Sequence, residues 1–261
     1  MRIPAVVVVA AALTACPEED PPRRPVVVDC CAEGEGEGEG EGEGEGEGEG
    51  EGEGEAVPLP GFGAIAGACG FLDDELSSAL PFYGPDSVFD FGTDPYDDAD
   101  LLLLSAGGQE MIADGNAGGS SLLSEVFSFE HLARCEGATL FKTETEIDYT
   151  VAQTKITDFI VLIEGTRYGV SVVRTFVFPE GTPLSLEEAT RRLEGKLDDI
   201  LISSANVAPA DAWRKQILAV IANEPEHLTV WREAYDLLDA QTHADTIVYM
   251  ILTNGDDAFL H

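Results

Sequence analysis

Asp94, Asp97, Asp98 and Asp100 place four carboxylates within seven residues, a density that suits a hard cation such as Ca²⁺. The stretch lacks the Asp-x-Asp-x-Asp-Gly spacing and the later bidentate glutamate of a calcium loop, so it reads as a solvated loop. His131, His227, His243 and His261 show neither HxxxH nor HExxH spacing. No Cys-x-x-Cys pair occurs among Cys16, Cys30, Cys31, Cys69 and Cys135, which argues against a zinc site. Gly61-Phe-Gly63 has no third glycine at the dinucleotide spacing, and neither Gly-x-Ser-x-Gly nor a phosphate-binding loop is found. Any chemistry must therefore come from side chains that the fold gathers.

Charge narrows the partners. The chain of 261 residues carries a formal charge of −36, and twelve of its glutamates stand in the tract Glu33–Glu55. Residues 56–261 still hold eleven basic against thirty-four acidic groups, a net of −23. Nucleic-acid binding draws on Lys and Arg displacing counterions, so this balance disfavours a phosphate backbone and an anionic lipid surface alike. A hydrophobic content of 44% leaves enough for one packed core after the tract.

Arg2 precedes an apolar run, Ala5–Leu13, too short to span a bilayer, which takes about 20 residues. The run ends in Leu13-Thr14-Ala15-Cys16. This resembles the bacterial lipobox, which implies a signal peptide over 1–15, lipid on Cys16, and a chain anchored at the cell envelope, at the outer membrane or cell surface. In such an oxidising setting Cys69 and Cys135 are either a disulfide or two small buried residues. Residues 16–60 read as a tether: a Pro-rich piece, Cys30-Cys31, and eleven Glu-Gly dipeptides. Alternating glycine removes helix propensity and like charges repel, so this tract is expected to be a disordered spacer.

From residue 61 the pattern predicts a single acidic α/β (α+β) domain with a mixed sheet. Residues 64–80 read as a helix, Ser87–Phe91 as a short strand, and Leu101–Leu104 as strand or helix. Ser121 opens a helix to about Cys135, with a stripe of Leu122, Val126, Phe129 and Leu132. Strands follow over Thr139–Tyr149, Ile156–Ile163 and Tyr168–Phe178, the last two joined by a turn at Glu164-Gly165-Thr166. Ser185 and Glu188 form the Ser-x-x-Glu signature of a second helix. A strand near Lys215–Ile221, a helix over Pro225–Ala240 and an apolar strand over Thr246–Leu252 complete the chain. Trp213 and Trp231 fit packing before any ligand role.

The order from Ser121 onward, α-β-β-β-α-β-α-β, resembles the αβββαβ core of the PD-(D/E)XK nuclease-like superfamily over about residues 120–253. The resemblance implies two or three carboxylates holding Mg²⁺ or Mn²⁺, and a lysine beside the attacked water. It places one acid in the second strand, where Asp158 fits, and Glu-x-Lys in the third. There the chain reads Gly169-Val-Ser-Val172-Val-Arg174-Thr, without an acid: Val172 and Arg174, or in the other register Ser171 and Val173, take those places. An arginine stays protonated and does not replace a catalytic lysine. Acids migrated from neighbouring elements, Glu125 or Glu130 on the preceding helix and Glu144, Glu146 or Asp148 on the adjoining strand, are the candidates to rebuild the site. The simpler expectation is that these line solvated faces. The turn puts Asp158 opposite 173 or 174, so Asp158 and Arg174 are expected to share a face as an ion pair. The sequence therefore reads as a cell-envelope lipoprotein with a binding or structural domain, no resident cofactor, and an envelope protein or small ligand as partner. A divergent metal-dependent phosphodiesterase using Asp158 is the alternative.

Overall fold

Two segments, residues 215–222 and 247–252, are buried at every position, which requires cover on both faces of a sheet. The computed structural model describes residues 57–58, 61–92, 95–179, 181–254 and 257–260, all within one compact unit, Glu51–His261. Cys16, the stretch 1–15 expected to be a signal peptide, Cys30-Cys31 and the Glu-Gly tract lie outside these residues. In chain order the elements are β1 (Val57–Pro58), β2 (Ala64–Gly67), α1 (Asp74–Ser77), β3 (Phe82–Asp90), α2 (Ala106–Asp114), α3 (Leu122–Glu136), β4 (Thr139–Thr143), β5 (Phe159–Ile163), β6 (Thr166–Arg174), α4 (Leu186–Asn206), β7 (Lys215–Ala222), α5 (Pro225–Leu237), α6 (Ala240–His243) and β8 (Ile247–Leu252). Short 3-10 turns cover Asp98–Leu103, Glu144–Glu146 and Ala258–Leu260.

The domain is α/β, with an eight-stranded mixed sheet in the order β1-β2-β3-β8-β7-β6-β5-β4. β3, β8, β7 and β6 run parallel at its centre. Antiparallel pairs extend it on both sides: β1 and β2 beyond β3, β5 and β4 beyond β6. Side-chain alternation divides the core in two. Ile217, Ala219, Ile221 and Tyr249 face α3 through Val126, Phe129 and Leu132. Leu218, Val220, Val248 and Met250 face α4 and α5 through Leu193, Leu197, Leu228 and Trp231.

Several boundaries differ from those the sequence predicts. Residues 64–80 hold β2 and only the four-residue α1, not a long helix. Gly63, Gly67 and Gly70 all have positive φ, which breaks helical continuity, and Ile65 pairs with Phe89 in the sheet. Val57–Pro58, assigned to the tether, pair with β2. The strand expected over Thr139–Tyr149 stops at Thr143. There the Thr143 side chain and Glu146 form a reciprocal cap that starts a 3-10 turn. Glu144, Glu146 and Asp148 therefore do not share a strand face. β4 also carries a register shift between Leu140 and Lys142.

The β5–β6 hairpin closes more tightly than expected. Ile163 pairs with Thr166, leaving a two-residue turn of Glu164 (φ 51°) and Gly165 (φ 76°). Phe159 lies opposite Val170, so Asp158 falls opposite Ser171 rather than 173 or 174. The expected cross-strand ion pair is corrected accordingly: the Arg174 guanidinium donates to the Leu260 carbonyl.

Candidate functional site

β6 outruns β5 at one end. Its last residues, Val172–Arg174, continue past the first residue of β5, and the ladder edge there lacks a strand neighbour on the β5 side. Asp158 fills part of that gap. Its N–H donates to the Val170 carbonyl (3.1 Å) and its Oδ2 accepts from the Val172 N–H (2.5 Å). Beside it lies a small polar cleft of about 90 Å³, lined by Ser121, Ser124 and Glu125 from the start of α3, by Val172–Arg174, and by Lys196 from α4. Helices from opposite faces of the sheet thus reach the same strand end.

The electrostatics follow from burial. Desolvation pushes the Asp158 carboxyl up to about 7, with the Lys196 charge opposing and Glu125 adding to the rise. Glu125 is 3% exposed. Its burial raises its pKa, opposed by hydrogen bonds from Ser121 and Asn116. Burial lowers the Arg174 guanidinium, against Asp257. Ser124 lines the cleft, and its buried hydroxyl has no hydrogen-bond partner among the described residues.

Of the acids singled out in the sequence, Asp158 and Glu125 come together here, with Arg174 at the rim. Glu125 and Glu130 do not lie on a solvated helix face, as expected, but are buried. α3 runs between the sheet and α2, and its residues 124–132 are all buried. Glu130 is taken up structurally: it pairs with Arg134 (2.7 Å) and accepts from the Ser105 N–H (2.8 Å). Glu146 lies elsewhere. With Glu110 and Asp114 it makes an exposed acidic triad whose oxygens lie within 4.8 Å of one another. Those carboxylates already serve as caps and braces: Glu146 accepts from the Thr143 N–H and Asp114 from the Thr143 hydroxyl. The sequence missed Lys196 and Ser124, whose only signal was their place on the two helices that flank β6.

A second polar group lies deep in the core. Ser87 Oγ meets His131 Nε2 (2.7 Å), Tyr249 OH meets His131 Nδ1 (3.0 Å), and Tyr249 donates to Glu136 (3.2 Å). Because the tyrosine proton goes to Glu136, the ring carries its proton on Nδ1 and accepts from Ser87. Ser87, His131 and Tyr249 are 0% exposed, so this serine–histidine pair is a structural link rather than a nucleophile. Glu136 also accepts from the N–H groups of Gly70, Phe71 and Leu72. Next to it Cys69 and Cys135 are joined as a disulfide, with Cα atoms 4.7 Å apart.

No family model and no solved structure matches the chain. A Dictyostelium discoideum protein described as "AAC-rich mRNA clone AAC4 protein" is 40% identical over 155 residues. The match covers 57% of this chain, which spans 22% of that protein's length. This similarity corrects the expected function and location. Lipid transfer to a lipobox cysteine is a bacterial reaction, whereas the similar protein is that of a eukaryote, so the bacterial cell-envelope lipoprotein is overturned. Among the described residues no helix is long and apolar enough to cross a membrane.

Proposed function

We propose that this domain is a small-ligand binding module on a nuclease-like core, formed by α3, β4–β6, α4 and β7. In this reading the cleft at the end of β6 takes Mg²⁺ or Mn²⁺ through Asp158 and Glu125. The observation that carries it is the convergence of two desolvated carboxylates, Asp158 and Glu125, on one small cleft that Lys196 also lines. Such oxygen donors suit a hard cation. When bound, the ion would supply positive charge at the strand end and a position for an anionic oxygen. Lys196 is the group placed to hold that ligand's charge from the α4 side. The −23 charge of residues 56–261 disfavours a nucleic acid as the ligand. The absence of an acid at Val172 supports binding over a full nuclease metal set.

Mn²⁺ titration followed by thermal melting tests this. At a hundred times its dissociation constant an ion that binds only the folded state adds about 2.7 kcal/mol, a rise of roughly 5–10 °C for a domain of this size. Asp158→Asn is expected to abolish the rise, Glu125→Gln to reduce it, and Glu110→Gln to leave it unchanged. A rise lost in Glu146→Gln but kept in Asp158→Asn would assign the ion to the exposed triad and sink the reading.

A further inference from the structure

β6 and β7 are parallel, so their carboxyl ends lie on one edge of the sheet. Crevices outside the carboxyl ends of parallel strands are where α/β sheets bind ligands. One opens here between the segment that leaves β6 for α4 and the first turn of α5, which follows β7. It has a volume of about 300 Å³, the lower end of the range for small-molecule sites. Thr182 and Leu184 line it from the first segment, and Glu224, Glu226, His227 and Val230 from the second. The cleft is separate from the Asp158 site and shares no lining residue with it.

Its chemistry is specific. Leu184 and Val230 give an apolar body, and most of the exposed lining is apolar. His227 is 4% exposed, and its Nδ1 is bonded to the Thr175 hydroxyl (3.0 Å). Nε2 has no hydrogen-bond partner among the described residues, although the side chain lines the cleft. Burial lowers its pKa, which keeps the ring neutral near pH 7, and the Glu224 and Glu226 charges oppose that shift. The two glutamates are the charged groups of the lining, and no Lys or Arg belongs to it. Arg192, whose charge reaches His227, is already held by Glu188 (2.6 Å) and the Phe176 carbonyl (2.9 Å).

A helix N-terminus ordinarily attracts anions through about half a positive charge. Here Pro225 at the first position has no N–H, and the His227 N–H is bonded to the Glu224 carbonyl. Two full carboxylate charges outweigh what remains. We propose that this cleft binds a small amphipathic amine: an apolar body against Leu184 and Val230, and an ammonium between Glu224 and Glu226 with His227 as the inner polar contact.

Three probes of one shape and different charge test this on the full chain: benzylamine, benzyl alcohol and benzoate, followed by NMR amide shifts. Benzylamine is expected to give saturable shifts at Thr182, Leu184, His227 and Val230, and to bind about tenfold more tightly than benzoate, a difference of about 1.4 kcal/mol. Glu226→Gln, an exposed and fold-neutral change, is expected to weaken benzylamine and leave benzyl alcohol as it was. Val230→Phe, which fills the cleft, is expected to remove the shifts for both. Benzoate binding as tightly as benzylamine would show that the helix end prevails and overturn the proposal. So would shifts that spread over the acidic surface, or that do not saturate at millimolar concentration.

Discussion

Asp158 and His131 make stability depend on pH in opposite senses. Asp158 rises from 3.8 to about 7 on folding, so the folded chain holds a proton that the unfolded chain has released. The stability linked to it is complete below pH 3.8 and is lost as pH rises through about 7. His131 falls from 6.5 to about 3. Its contribution is complete above pH 6.5 and is lost as pH falls toward 3. Asp158→Asn keeps an oxygen for the Val172 N–H and removes the first slope. Urea unfolding is expected to find it more stable than the unchanged chain at pH 8, by about 1–2 kcal/mol after discounting for partial exposure, with no gain at pH 4. An equal gain at both pH values would mean that Asp158 is not the titrating group. For His131→Gln, which costs stability at pH 7, the deficit is expected to shrink toward pH 4 because the unfolding proton uptake is gone. The place of Asp158 just before an apolar strand was legible in the sequence. The burial of Glu125 was not, because acid spacing on one helix says nothing of a second helix lying over it. Gly107 and Gly108 on α2 were the local sign: a Cβ on Gly107 would stand 2.4 Å from the Phe129 ring, and one on Gly108 2.3 Å from Glu130.

Elements with a strong period and a cap were readable, and those set by turn geometry were not. α4 begins where the Ser185 hydroxyl accepts from the Glu188 N–H, and its stripe of Ala189, Leu193, Leu197 and Ile200 is buried. β8 is buried throughout, as an unbroken apolar run demands. The hairpin register was missed because a two-residue and a four-residue turn fit the same letters, and each added residue moves the partner strand. Glu164 sits at φ 51°, a region that suits asparagine and glycine better than a longer side chain. Glu164→Asn is expected to raise the unfolding free energy by roughly 0.5 kcal/mol, read from the denaturant midpoint, without moving the slope. A loss of stability would show that the Glu164 side chain contributes more than its backbone strain costs.

At the scale of the molecule, the loop after β2 is fastened to the end of α3 twice, by the Cys69–Cys135 bond and by the three amides on Glu136. The covalent link closes a loop of 66 residues. Reduction is expected to lower stability by about 2–4 kcal/mol while leaving the far-ultraviolet circular dichroism native, because the Glu136 clasp and both cores remain. A reduced chain that loses its secondary structure at 25 °C would refute the second fastening.

The two flanks of the sheet share one further property. A row of unpaired N–H and C=O groups is a template on which another chain can add a strand and begin a fibre. On one flank β1 is two residues long, and Pro58 has no N–H to offer. On the other, β4 is five residues long, shifts register between Leu140 and Lys142, and carries a lysine at the shift. Among the described residues neither margin presents a long, flat, repeating ladder on which a neighbour's strand could add.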